Sequence, residues 1–136
     1  MIGKYTVVIA DDHSGIRTGI TGILEGSGDF KVVAEAGDGI EALRAVQEHQ
    51  PDLLVLDVKL PELEGPEVAS SLSSSDVSTT ILALSSYDLP EFVDSMIENG
   101  ASGYLTKDQA PQWLPTAALD LLEGRKKIWI SANLRK

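Results

Sequence analysis

Short apolar runs alternate with longer amphipathic stretches along this chain. Tyr5 to Ala10 (YTVVIA) is β-branched and nearly all apolar, the pattern of a parallel strand buried on both faces. Ser14 to about Gly26 follows, with Ile16, Ile20, Ile23 and Leu24 on one helical stripe. Gly15, Gly19 and Gly22 weaken that helix on propensity, so packing must hold it; they read as tolerated weakness rather than as sites of close helix approach. Lys31 to Ala36 is a second strand, and the turn Gly37-Asp38-Gly39 opens a helix from Ile40 to about Gln50, which Pro51 stops. Leu53 to Asp57 is the third strand. Pro66 starts a third helix that fades into the serine-rich stretch 70–78, read as a mobile connection.

Thr80 to Leu84 is the fourth strand. Pro90 then starts a helix with Phe92, Val93, Met96 and Ile97 inward and Glu91, Asp94 and Glu98 outward, closed by Gly100. Ser102 to Thr106 makes a fifth strand, and a last helix runs from about Gln112 to Glu123 with Pro115 near its first turn. Five strands alternating with five helices predict an α/β fold, a doubly wound five-stranded parallel sheet of flavodoxin-like order 2-1-3-4-5. In such a sheet the functional crevice lies beyond the carboxyl ends of the strands, at the switch point beside the first.

Composition narrows the function classes. With 43% hydrophobic and 24% charged residues in 136, the chain is globular rather than disordered. It has no cysteine, which excludes a disulfide scaffold, a thiol nucleophile and cysteine-ligated metal. No apolar run approaches the roughly 20 residues of a membrane helix and no signal peptide is recognisable, so a cytoplasmic domain without membrane contact is expected. Residues 1–124 carry all 21 acids and six bases, a net of −15, whereas the last twelve residues carry five bases and no acid. The acidic body argues against direct nucleic-acid contact.

The strand ends hold the chemistry. The first strand ends in Asp11-Asp12, the third in Asp57, the fourth in Ser85-Ser86, and the fifth just before Lys107. The expected order brings three carboxylates into one small volume, where they repel unless a cation compensates. A hard, oxygen-liganded ion such as Mg²⁺, with Mn²⁺ as the alternative, answers that need. Lys107 adds a fixed positive charge and Ser85 a hydroxyl, which suits the site to a phosphoryl group. Taken singly, each has a plainer reading: Asp11, Asp12 or Ser14 as a helix cap, Ser85 as a turn hydroxyl, Lys107 as a solvated lysine. Their joint occurrence decides the matter.

The strings VVIADDH at 7–13, LLVLDVKLPELEG at 53–65, ILALSSYD at 81–88 and GASGYLTKD at 100–108 resemble the receiver domain of bacterial two-component response regulators, in particular the NarL/FixJ subfamily. The resemblance implies that Asp57 is the phosphoacceptor, Asp12 a direct metal ligand, Asp11 the holder of a metal-bound water, and the Lys59 backbone carbonyl a further ligand. It implies that Lys107 pairs with phosphoryl oxygens, that Ser85 swings toward them, and that Tyr104 turns inward when Ser85 vacates its place. Lys59 and Tyr87 fall where the family tunes spontaneous dephosphorylation. His13 reads as a site-edge residue and Trp113 as packing.

The implied function is a signalling switch rather than an enzyme. A sensor histidine kinase would phosphorylate Asp57, and the altered fold would control an output, with transcription expected and homodimerisation as a further option. The alternatives are a single-domain regulator and a phosphorylation-independent interaction module. A haloacid-dehalogenase-type phosphatase needs a second acid two residues after its nucleophile, where Asp57 has Lys59. No glycine-rich phosphate loop follows the first strand. Residues 1–124 are thus expected to form the receiver and 125–136 a basic tail or linker. That tail resembles the segment leading to a LuxR-type helix-turn-helix domain, through which alone DNA would be contacted. Ile128, Trp129 and Ile130 are expected to pack back onto the domain.

Overall fold

A computed structural model describes residues 4–131 and 134. The elements are β1 (Tyr5–Ala10), α1 (Ser14–Gly26), β2 (Phe30–Ala36), α2 (Gly39–His49), β3 (Leu53–Leu56), α3 (Gly65–Ser73), β4 (Thr80–Ser85), α4 (Pro90–Glu98), β5 (Gly103–Thr106), α5 (Ala110–Leu122) and β6 (Trp129–Ile130). A 3-10 turn, Lys107–Gln109, joins β5 to α5. All strand pairs are parallel and the sheet order is β2-β1-β3-β4-β5-β6. The doubly wound order is therefore the expected one, extended by a sixth strand.

Alternate residues of each central strand serve opposite faces of the sheet. Val7, Ile9, Leu53, Val55, Leu82, Leu84 and Leu105 pack with Ile20 and Leu24 of α1 and Leu114, Ala117 and Ala118 of α5. Val8, Ala10, Leu54, Leu56, Ile81, Ala83 and Tyr104 pack with Ala42 and Val46 of α2, Val68 and Leu72 of α3, and Met96 of α4. Two cores, one per face, explain why the strands read as continuous apolar runs.

Local chemistry sets the element ends. Asp38 caps α2 by accepting from the Glu41 amide at 2.8 Å. Gln50 ends that helix in the left-handed region (φ 43°), ahead of Pro51. The first part of the serine-rich stretch, 70–73, departs from the expectation of a mobile connection, because α3 continues to Ser73. Val68, Ala69 and Leu72 are buried at helical spacing, and the Ser73 hydroxyl donates to the Asn99 carbonyl at 3.0 Å. Packing there outweighs the poor helix propensity of serine. Helix α5 begins two residues earlier than expected, which places Pro115 inside it. The missing N–H removes only the rung to residue 111, within the first turns.

The tail also differs from a simple linker. Trp129 and Ile130 pair with Gly103 and Tyr104 of β5. Trp129 is buried against the α1–α5 core, and Ile130 packs on the opposite core. Ile128 lies outside the strand and is 52% exposed, contrary to the expectation for it.

A Cβ on Gly19 of α1 would meet nothing within 4 Å, which excludes a close-approach role. Gly19→Ala is expected to stabilise the protein by about 0.5–1 kcal/mol, read as a higher urea midpoint at unchanged slope.

Candidate functional site

The carboxyl ends of β1, β3, β4 and β5 meet at one rim of the sheet. The Asp57 amide donates to the Ala10 carbonyl at 3.0 Å, so the residue after β3 is locked beside the end of β1. Gly65 closes the following loop back onto this point, its amide bonding the Val58 carbonyl at 2.8 Å. A Cβ there would lie 2.3 Å from the Asp57 carbonyl oxygen and 2.9 Å from Val58 Cα. Gly65→Ala must therefore displace backbone next to Asp57. We expect a stability loss of roughly 1–3 kcal/mol in urea unfolding.

Lys107, the first residue after β5, reaches across the rim. Its Nζ lies 2.6 Å from Asp11 Oδ2 and 3.0 Å from Asp57 Oδ2. Asp11 and Asp57 are buried, at 1% and 5% exposure, so one ammonium serves two desolvated carboxylates. Burial and the neighbouring Asp11 push Asp57 up to about 6, against the lowering effect of Lys107. Burial also acts on Asp11, but Lys107 and the His13 amide, which donates to Asp11 Oδ1 at 2.9 Å, hold it below its ordinary value. Burial lowers the Lys107 ammonium, and its two acid partners more than offset this, so its pKa lies above the usual lysine value. Two acids sharing one cation thus have their proton affinities driven apart.

Asp12 is more exposed, and its Oδ1 lies 2.9 Å from His13 Nδ1, which is also 3.4 Å from Asp11 Oδ1. One ligand atom from each of Asp11, Asp12 and His13 can be found within 4.8 Å of the others, so the first loop presents a compact donor group. Its backbone is held by a residue that sequence reasoning left without a role. Arg17 Nη1 donates to the Asp11 carbonyl at 2.6 Å while its Nε bonds Glu35 at 2.8 Å. An arginine one turn into the helix that follows the acids was the available signal.

The remaining candidates lie around this centre. Ser85 is buried, and its Oγ accepts from the Tyr87 amide at 3.1 Å. Tyr104 is wholly buried, with its hydroxyl donating to the Tyr87 carbonyl at 2.6 Å, and burial pushes its phenol up. The Tyr87 ring packs against Phe92 at a tilt of 40°, with centroids 4.9 Å apart. The Lys59 ammonium pairs with Glu64 at 3.0 Å and lies 5.4 Å from the Phe92 ring centroid. It is Lys107, not Lys59, that contacts the buried acids.

Among the described residues, no helix is long and apolar enough to cross a membrane. Residues 7–119 match the family described as the response regulator receiver domain. The transcriptional regulatory protein NarL of Mycobacterium tuberculosis is 38% identical over 122 residues, covering 90% of this chain and 56% of NarL. The oxygen regulatory protein NreC of Staphylococcus epidermidis is 41% identical over 119 residues, covering 87% of this chain and 55% of NreC. The chain thus spans a little over half the length of the curated relatives it matches. The solved signal receiver domain of M. tuberculosis NarL superposes with a TM-score of 0.87 at 37% identity, over 91% of this chain and 100% of that one. A LuxR-family two-component response regulator from an Aurantimonas species gives 0.89 at 32% identity, over 97% and 93%. Since the match runs through every strand end that builds the acid pocket, this chain belongs to the response regulator receiver domain family.

Proposed function

We propose that this chain is a phosphorylation switch in which Asp57 accepts a phosphoryl group from the phosphohistidine of a sensor histidine kinase. A carboxylate oxygen of Asp57 attacks phosphorus in line. The new P–O bond forms as the P–N bond breaks, and the bonding pair leaves on the imidazole nitrogen. The supporting observation is the Lys107 ammonium held between Asp11 and Asp57, a fixed positive charge where phosphoryl oxygens would gather. Ser85, at the end of the adjoining strand, accepts from the Tyr87 amide and has its O–H proton to donate to a phosphoryl oxygen.

The donor set suits a hard divalent ion. Two buried carboxylates share one ammonium, and Asp12 adds a third negative charge beside them. Asp11, Asp12, Asp57 and the Lys59 carbonyl would hold Mg²⁺ or Mn²⁺, which when bound supplies positive charge against the phosphoryl oxygens. Lys59 and Tyr87 flank this place and would tune the lifetime of the acyl phosphate. The output follows the relatives: M. tuberculosis NarL is named a transcriptional regulatory protein, and we propose the same class of output for the protein containing this chain, in the cytoplasm.

The test is intact-mass analysis after incubation with acetyl phosphate and magnesium chloride. The chain should gain one phosphoryl group, and gain none when the ion is chelated beforehand or in the Asp57→Asn variant. An adduct of equal yield in Asp57→Asn would refute the assignment, and no adduct at all would favour an interaction module that works without phosphorylation.

A further inference from the structure

Just past β6, Ser131 meets β5 at Thr106, the residue next to Lys107. The Trp129 amide donates to the Ser102 carbonyl at 2.9 Å, and the Ser131 amide to the Tyr104 carbonyl at 3.0 Å, the regular steps of a parallel ladder. The next donor on β5 is the Thr106 amide. Its acceptor is not a backbone carbonyl but the Ser131 hydroxyl, at 3.2 Å and fully buried. The Ser131 carbonyl instead accepts from the Leu134 amide at 2.9 Å. Ser131 therefore clasps β5 by both its amide and its side chain, on either side of Leu105.

We infer that Ser131 is a positioning residue for the phosphorylation site, acting through the Thr106 amide on Lys107, and that phosphorylation in turn tightens the hold of β6 on β5. The inference rests on the phosphoacceptor reading of Asp57 proposed above. The direction follows from two contacts. Tyr104 is already wholly buried, and the backbone that carries its ring in that position is the one Ser131 hydrogen-bonds. Drawing Ser85 toward a phosphoryl group leaves more room for the same ring placement. A phosphoryl group on Asp57 also brings more negative charge to the acid with which Lys107 already pairs, and so restrains the backbone of Thr106 beside it. Both effects favour the arrangement in which the Thr106 amide faces the Ser131 hydroxyl. Linkage makes the coupling reciprocal: whatever phosphorylation adds to β6 docking, β6 docking adds to phosphoryl binding.

The reporters are intrinsic. Both tryptophans of the chain lie at this junction, with the Trp113 and Trp129 rings 6.1 Å apart, so fluorescence reads β6 docking directly. The experiment measures beryllofluoride binding with magnesium, together with amide hydrogen exchange, on the full chain. In the unaltered protein, beryllofluoride should slow exchange of the Thr106 and Ser131 amides at least about five-fold and shift tryptophan emission. Ser131→Ala should bind beryllofluoride about five-fold more weakly, and Ser131→Thr, which keeps the hydroxyl, should restore it. Equal affinity in Ser131→Ala, or beryllofluoride binding that leaves both amides unchanged, would overturn the coupling while leaving Asp57 as acceptor. Failure of the unaltered chain both to bind beryllofluoride and to take up phosphoryl from acetyl phosphate would remove the acceptor reading, and the coupling with it. Should Ser131→Ala fold poorly, the amide measurement on the unaltered protein decides alone.

Discussion

Asp57→Asn should make the protein more stable at pH 7.5 while abolishing phosphoryl uptake. Asp57 is nearly buried, with 7% of its side chain exposed, and its folded-state pKa is about 6 against an ordinary 3.8. A folded pKa raised above the unfolded value means that the neutral acid favours folding. That stability is fully present below pH 4 and is lost as pH rises through 6. Above that range the ionised carboxylate costs on the order of 2–3 kcal/mol, about 1.4 kcal/mol for each unit of the difference. Asparagine keeps the shape and removes the charge. The melting temperature at pH 7.5 should therefore rise by roughly 7–10 °C, and the gain should shrink to nothing near pH 4. Magnesium should narrow the gap at pH 7.5 by stabilising only the chain that retains the carboxylate. An Asp57→Asn protein that melts at or below the parent temperature at pH 7.5 would contradict this account of the pocket.

Lys107→Met should act in the opposite direction and more strongly. The ammonium is the positive group shared by two buried acids, with only 17% of its side chain exposed. Its removal leaves Asp11 and Asp57 facing each other, and breaking a buried pair in this way costs about 3–5 kcal/mol. The loss should be greatest at pH 7.5. It should diminish toward pH 5, where a proton on Asp57 takes over part of the lysine's role. Urea titrations at the two pH values check both the size and the sign. The double variant Asp57→Asn/Lys107→Met should be more stable than the sum of the two single effects gives, since Asp57→Asn then relieves a buried carboxylate with no ammonium beside it. Additive effects in that cycle would mean that Lys107 contributes packing rather than charge.

Much of this arrangement was legible in the order of residues. The apolar runs at 5–10, 53–56 and 80–85 announce strands covered on both faces, because a strand with one solvated face alternates apolar and polar positions. Asp11, Asp12, Asp57 and Lys107 were legible as a group because each lies within two residues of a strand's carboxyl end, and parallel topology carries such ends to one rim. The tail was harder. Trp129 and Ile130 form a strand of two residues, too short for any period to show, and the clasp at Ser131 depends on a partner 25 positions away. The serine-rich end of α3 misled for a related reason: local propensity opposes a helix that Met96 and its neighbours on α4 support from across the core.

Residue order by itself determined the α/β alternation, the sheet order β2-β1-β3-β4-β5 and the identity of the acids and lysine at the strand ends, because strand periodicity and right-handed crossovers leave few other solutions. Tertiary structure alone decided which cation serves which acid, why Asp57 rather than Asp11 holds its proton more tightly, where the Lys59 ammonium goes, and that Tyr104 lies inside. These depend on distances of 3 Å or so between residues tens of positions apart, and on how much water each group has lost. Burial and contact are properties of the packed chain, and no local pattern of residues encodes them.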